Sequence, residues 1–208
     1  MGVAWAPGRM DDVRRSPRGP TLALVALACA ALAGCSGGPA AGRGQPPGVS
    51  GPPGSPSNPL VRTCSDEAQP EGPAPVNAGP RDLAVGPVYF AGARALATYT
   101  PAQYGWAPFG RHGRFYKFGL VARPGVVVTV TIAPSARGHA VIEMNVNGVN
   151  RGMTSVTYRS CRTAGGFYAQ GIAFTHPPFR GCVPVDVTVA GQPGTRHATL
   201  PLFASHCT

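Results

Sequence analysis

The chain has 208 residues, 29 of them glycine and 24 proline, and its 18 Lys+Arg against 8 Asp+Glu give a formal charge of +10. No window of eleven residues carries a 3.6-residue apolar period with caps, which excludes a helical bundle or a coiled coil. The longest apolar run, residues 21–33, has thirteen residues, too few for the ~20 that a membrane-spanning helix needs.

Taken in chain order, the first feature is that run. Arg9, Arg14, Arg15 and Arg18 precede it, offset only by Asp11 and Asp12, and this is the layout of a signal peptide. It ends in Leu32-Ala33-Gly34-Cys35, which resembles a bacterial lipobox, a small-residue cleavage site with cysteine at the first retained position. Cys29 lies inside the apolar run and lacks small residues at both preceding positions. The resemblance implies cleavage before Cys35 and two or three acyl chains on it. Each buried CH₂ contributes about 0.8 kcal/mol, so such a group holds a protein permanently on a bilayer. The expectation is a signal peptide over 1–34 and a mature protein on the outer face of the cytoplasmic membrane, anchored through Cys35.

Beyond Cys35 there are fourteen Arg+Lys and six Asp+Glu, an excess of +8. Seventeen of the eighteen cations are arginine and only Lys117 is lysine, so part of this excess reflects the codon usage of a high-GC genome. An outward-facing basic domain is drawn by long-range attraction to anionic lipids or acidic wall polymers. The compartment argues against nucleic acid as a partner.

Residues 35–59 read as the lipidated cysteine and a disordered spacer, since eighteen of the twenty-four residues in 36–59 are Gly, Pro or Ser. Residues 60–80 remain proline-rich and form a lead-in pinned by Cys64. From 81 to 208 short β-rich runs alternate with Gly/Pro punctuation. The expected strands are 83–90, 114–122, 126–133, 140–146, 155–161, 167–175, 183–190 and 196–203. These 128 residues suffice for one sandwich of seven to eight strands. The expected fold is all-β, a single β-sandwich of immunoglobulin-like or jelly-roll-like kind.

Four cysteines remain after Cys35: Cys64, Cys161, Cys182 and Cys207. An even number in an exported chain reads as two disulfides. Cys182 and Cys207 bracket two expected strands joined by Gln192-Pro193-Gly194-Thr195, and a hairpin there favours Cys182–Cys207 with Cys64–Cys161. The rival pairing, Cys161–Cys182 with Cys64–Cys207, ties the extreme ends together and stays open. No C-x-x-C motif suggests redox chemistry.

The stretch Cys182-Val183-Pro184-Val185-Asp186-Val187, the turn at Gly191 and the run ending at Cys207, with Cys161 and Gly165-Gly166-Phe167 upstream, resemble exported, lipid-anchored proteins of high-GC Gram-positive bacteria. Those proteins have no assigned function. The resemblance implies a β domain outside the membrane and brings no catalytic residues with it.

A search for chemistry finds no G-x-S-x-G, S-x-x-K, H-E-x-x-H or phosphate loop. Glu143 and Asp186 are the only acids inside expected strands, and a glycosidase needs two on one cleft. His112, His139, His176, His197 and His206 show no paired spacing. His139 with Met144 and Met153 has the soft donors of a copper site. No cofactor is expected. One segment stands apart: residues 104–118 hold six aromatics and three permanent cations. Tyr104, Trp106, Phe109, Arg111, Arg114 and Lys117 are the candidate ligand-binding residues, because rings stack on sugars while cations pair with phosphate or carboxylate. The same segment also fits a loop whose rings cap the core while Arg114 and Lys117 alternate outward. The expected function is a non-catalytic binding or structural module of the cell envelope, contacting an anionic wall glycopolymer or an envelope protein. The alternatives are an envelope hydrolase and a copper-binding lipoprotein.

Overall fold

Between Val127 and Ile132 every second residue changes character, and this period of two decides which way the strand faces. Val128, Val130 and Ile132 are buried, while Thr129 and Thr131 turn outward to share hydroxyl hydrogen bonds with Thr157 at 2.8 Å and Ser155 at 2.7 Å. The same logic repeats along the chain. The computed structural model describes residues 50–66, 77–146, 149–163 and 165–207. The expected signal peptide, Cys35 and the spacer up to residue 49 lie outside the described residues.

Twelve strands occur among the described residues: β1 Leu60–Arg62, β2 Leu83–Val85, β3 Val88–Phe90, β4 Ala107–Phe109, β5 Gly113–Ala122, β6 Val127–Ile132, β7 Ala140–Val146, β8 Val149–Met153, β9 Ser155–Arg159, β10 Gly166–Phe174, β11 Gly181–Val189 and β12 Thr195–Leu202. Among the described residues the one α-helix, α1, is the single turn Pro101–Tyr104. A five-stranded sheet runs β1-β9-β6-β11-β12, and a seven-stranded sheet runs β2-β3-β5-β10-β7-β8 with β4 beside β5. All pairs are antiparallel except β1 with β9. The fold is an all-β sandwich.

The inner faces meet in one core. Val128, Val130, Ile132, Val156, Val183, Val185, Val187 and Leu200 come from one sheet; Phe90, Tyr116, Leu120, Ile142, Tyr168, Ile172 and Phe174 come from the other. Each such side chain contributes about 1.5–3 kcal/mol on burial. Three core tyrosines keep their hydroxyls paired. Tyr116 donates to the carbonyl of Phe179 at 3.0 Å, Tyr168 to that of Arg159 at 2.9 Å, and Tyr158 to the Gln170 side-chain oxygen. Burial raises the Tyr158 pKa, so that hydroxyl stays protonated.

The expected strand 140–146 is found with those bounds, and most others shift by one or two residues. Three expectations are corrected. The run 83–90 is a hairpin, because Gly86 at φ +61° and Pro87 turn the chain between β2 and β3. The sandwich has more strands than seven or eight, since β1, β4 and β8 lack an alternating pattern. The domain also begins well before residue 81. Gly54 is buried against Met153, its carbonyl accepts the backbone N–H groups of Thr154 and Ser155 at 2.8 Å, and β1 extends the five-stranded sheet. This segment docks through main-chain hydrogen bonds, which a Gly/Pro/Ser composition does not prevent.

The disulfides are Cys64–Cys161 and Cys182–Cys207, with Cα separations of 4.9 and 5.5 Å. They sit at opposite ends and opposite edges of the five-stranded sheet, one past β1 and β9, the other where β11 begins beside β12.

Candidate binding site

The site lies at the end of the sandwich where β5, β7 and β11 begin and β6, β10 and β12 finish. Register places it: Arg114 of β5 lies opposite Phe174 of β10, which lies opposite Ala140 of β7. Connections 133–139 and 175–180 cross between the sheets here, and the β4–β5 hairpin tip joins them.

Local chemistry shapes the approach to the hairpin. Thr100 and Gln103 form a reciprocal capping box around α1, with Pro101 at its first position. Gly105, at φ +85°, ends the turn and sets Trp106 outside it. Trp106 is 48% exposed, a large fraction for an indole in a described structure with few exposed apolar side chains. The Arg114 guanidinium carbon lies 4.3 Å from the centre of the Trp106 ring and 4.6 Å from that of Phe179. A permanent cation is therefore held between two rings. The hydroxyl of Tyr116 fixes Phe179 from beneath, through the Phe179 carbonyl.

Below the stack a file of rings crosses the end of the sandwich. Tyr99 meets Tyr104 at 6.2 Å, Tyr104 meets Phe203 at 5.8 Å, and Phe203 meets Tyr116 at 4.6 Å. Tyr116 then meets Phe174 at 6.2 Å, Phe174 meets His139 at 5.0 Å, and His139 meets His176 at 4.6 Å. The segments 110–112, 133–139, 175–180 and 203–207 carry Arg111, Arg137 and Arg180 with His112, His139, His176 and His206, and no acid. Burial and the neighbouring His176 lower the His139 pKa.

The six candidate residues separate. Trp106 and Arg114 come together, and Arg111 lies exposed in the hairpin tip beside them. Tyr104 serves packing: its hydroxyl donates to the Lys117 carbonyl and its ring meets Phe203. Phe109 reaches over the outer face of the seven-stranded sheet, within contact of Gly152 beside Val141. Lys117 is exposed on that outer face, three residues along β5 from Arg114 and therefore on the other side of the strand. Arg114 and Lys117 thus do not alternate outward together. Sequence reasoning missed Phe179, which lies 65 positions from Arg114.

The remaining candidates lie apart. Glu143 is on the outer face of the seven-stranded sheet and Asp186 on the outer face of the other, where it meets Nδ1 of His197 at 2.8 Å. The two acids have both sheets between them and share no cleft. Glu143 is 3% exposed, and burial pushes its pKa up to about 7 against the opposing charge of Lys117. Met144 is buried in the core and Met153 packs against Gly54, whereas His139 turns to His176 at the sandwich end. The thioethers and this imidazole do not converge.

Fold and site together define a class: a disulfide-bonded β-sandwich with one cationic, aromatic end. Compared with protein-family models and with curated proteins, the chain gives no match. Its two disulfides point to an extracytoplasmic location. No helix among the described residues is long and apolar enough to cross a membrane.

Proposed function

We propose that this chain is a lipid-anchored, extracytoplasmic binding module of the cell envelope, and that the end carrying Trp106, Arg114 and Phe179 contacts an anionic glycopolymer of the wall. The observation that carries the reading is the exposed Trp106 ring stacked on a permanent cation within an acid-free, arginine-rich end. An indole face suits the apolar face of a sugar, and guanidinium groups suit phosphate or carboxylate in bidentate geometry. A chain of repeating anionic sugars would meet both. The anchor at Cys35 keeps the domain where such polymers are.

Cosedimentation with washed cell walls of the source organism, at low and high salt, tests it. Saturable binding that falls with salt and falls again in Trp106→Ala and Arg114→Ala supports the module and its site. Binding insensitive to both substitutions moves the site elsewhere; no binding under any condition removes the polymer and leaves a protein partner. The anchor has its own test. Fatty-acid labelling that disappears in Cys35→Ser, with release of the protein from the membrane, supports it, and labelling that persists overturns it.

A further inference from the structure

His139 and His176 are 37 positions apart in the chain, yet their Nδ1 atoms lie 3.3 Å apart. Three contacts hold them there. The N–H of Thr175 donates to the His139 carbonyl at 2.9 Å, and the Thr175 hydroxyl donates to the Gly138 carbonyl at 2.8 Å, stitching one crossing connection to the other. The His139 ring is seated against Phe174. The carbonyl of Pro177 lies 3.1 Å from Nδ1 of His176, so that nitrogen has both a carbonyl oxygen and the His139 nitrogen within reach. A hydrogen bond between the rings would require His176 Nδ1–H to be shared with Pro177, or would leave its lone pair facing that carbonyl. A cation held between the rings takes up both Nδ1 lone pairs.

The spacing fits. With metal–nitrogen bonds of about 2.05 Å, a separation of 3.3 Å between ligand atoms corresponds to about 107° at the metal, close to a tetrahedral angle. An open groove of about 490 Å³, lined by Ser135, Ala136, His139, Cys182, Pro184 and Thr199, reaches the His139 side from solvent. No group of three or more His, Cys, Asp or Glu side chains suited to a metal occurs among the described residues. Two imidazoles would therefore leave at least two positions of a tetrahedral ion open to water or an external ligand.

We propose that His139 and His176 bind a divalent transition-metal cation through Nδ1, with Cu²⁺ held most strongly. Imidazole suits copper, nickel and zinc, and copper forms the tightest complexes of the divalent series. The site is independent of the wall-binding reading and uses none of its stacking residues.

The test is Cu²⁺ titration of the full chain purified in detergent, followed by calorimetry and electron paramagnetic resonance. One saturable equivalent showing hyperfine coupling to two nitrogens is expected. His139→Ala and His176→Ala should each weaken binding at least tenfold, while His197→Ala leaves it unchanged. Should His139→Ala fail to fold through loss of its contact with Phe174, His176→Gln, on an exposed side chain, carries the test alone. Absence of saturable binding, a spectrum without two-nitrogen coupling, or affinity unchanged in His176→Gln overturns the proposal.

Discussion

Lys117 and Glu143 share one row across the outer face of the seven-stranded sheet, with only Gly171 between them. The cation is exposed and the carboxyl is buried, so the attraction between them does not offset the loss of water around Glu143. Its pKa rises from 4.5 to about 7 on folding. Between these values the unfolded chain has released the proton and the folded chain has kept it, so stability falls as pH rises. The loss is complete above about pH 7 and reaches about 3 kcal/mol. Glu143→Gln should therefore stabilise the protein at pH 8 and change little at pH 4. Denaturant unfolding at the two pH values checks this, and an equal effect at both would refute it.

Gly171 admits no side chain. A Cβ there would lie 2.0 Å from the Tyr116 carbonyl oxygen, a main-chain atom in the centre of the sheet. At Gly119 the nearest atom, at 2.2 Å, belongs to the Phe167 ring, which can swing away. Gly171→Ala should cost about 3 kcal/mol or more, and Gly119→Ala distinctly less. Comparing their melting temperatures with that of the unsubstituted chain decides it.

The two disulfides close loops of very different length. Cys64–Cys161 spans 97 positions and Cys182–Cys207 spans 25. Loop-closure entropy assigns them about 4.7 and about 3.5 kcal/mol. Replacing the first pair by serine should destabilise more than replacing the second. It should also speed hydrogen exchange across β1 without affecting β12.

Arg114 should report on Trp106 optically. Removing the guanidinium in Arg114→Ala exposes the indole face and alters Trp106 emission, at a stability cost of about 0.5–1 kcal/mol. Trp5 is the only other tryptophan, so difference spectra against Trp106→Phe isolate the signal. Emission identical to that of the unsubstituted chain would mean that the stack does not persist in solution.

Strands that bury one face were legible in the sequence. Val127–Ile132 and Ala140–Val146 show it, since their inward residues are bulky and their period is two. β8 was not, because four of its five residues are exposed at a sheet edge and nothing imposes alternation on Val149, Asn150 and Arg151. β4 hid behind Gly105, Pro108 and Gly110, and β1 behind the prolines before it. Two of the three members of the stack, Trp106 and Arg114, could be anticipated, since they lie eight positions apart. Phe179 and the meeting of His139 with His176 could not. Both depend on β10 lying between β5 and β7, which is a property of topology and leaves no local trace.

The parallel pairing of β1 with β9 has a mechanical consequence. Tension from the N-terminal side first meets the bonds from Gly54 to Thr154 and Ser155; once these give way it pulls β1 along its own axis and loads its hydrogen bonds with β9 in shear, all at once rather than one by one. Should they yield, the load reaches Cys64 and crosses directly to Cys161. The ninety-six residues between those cysteines, which include Trp106, Arg114 and His139, then lie off the line of force. A pull from the N-terminal side is thereby delivered to the end of β9, the point of the sandwich farthest along the strand direction from its cationic end.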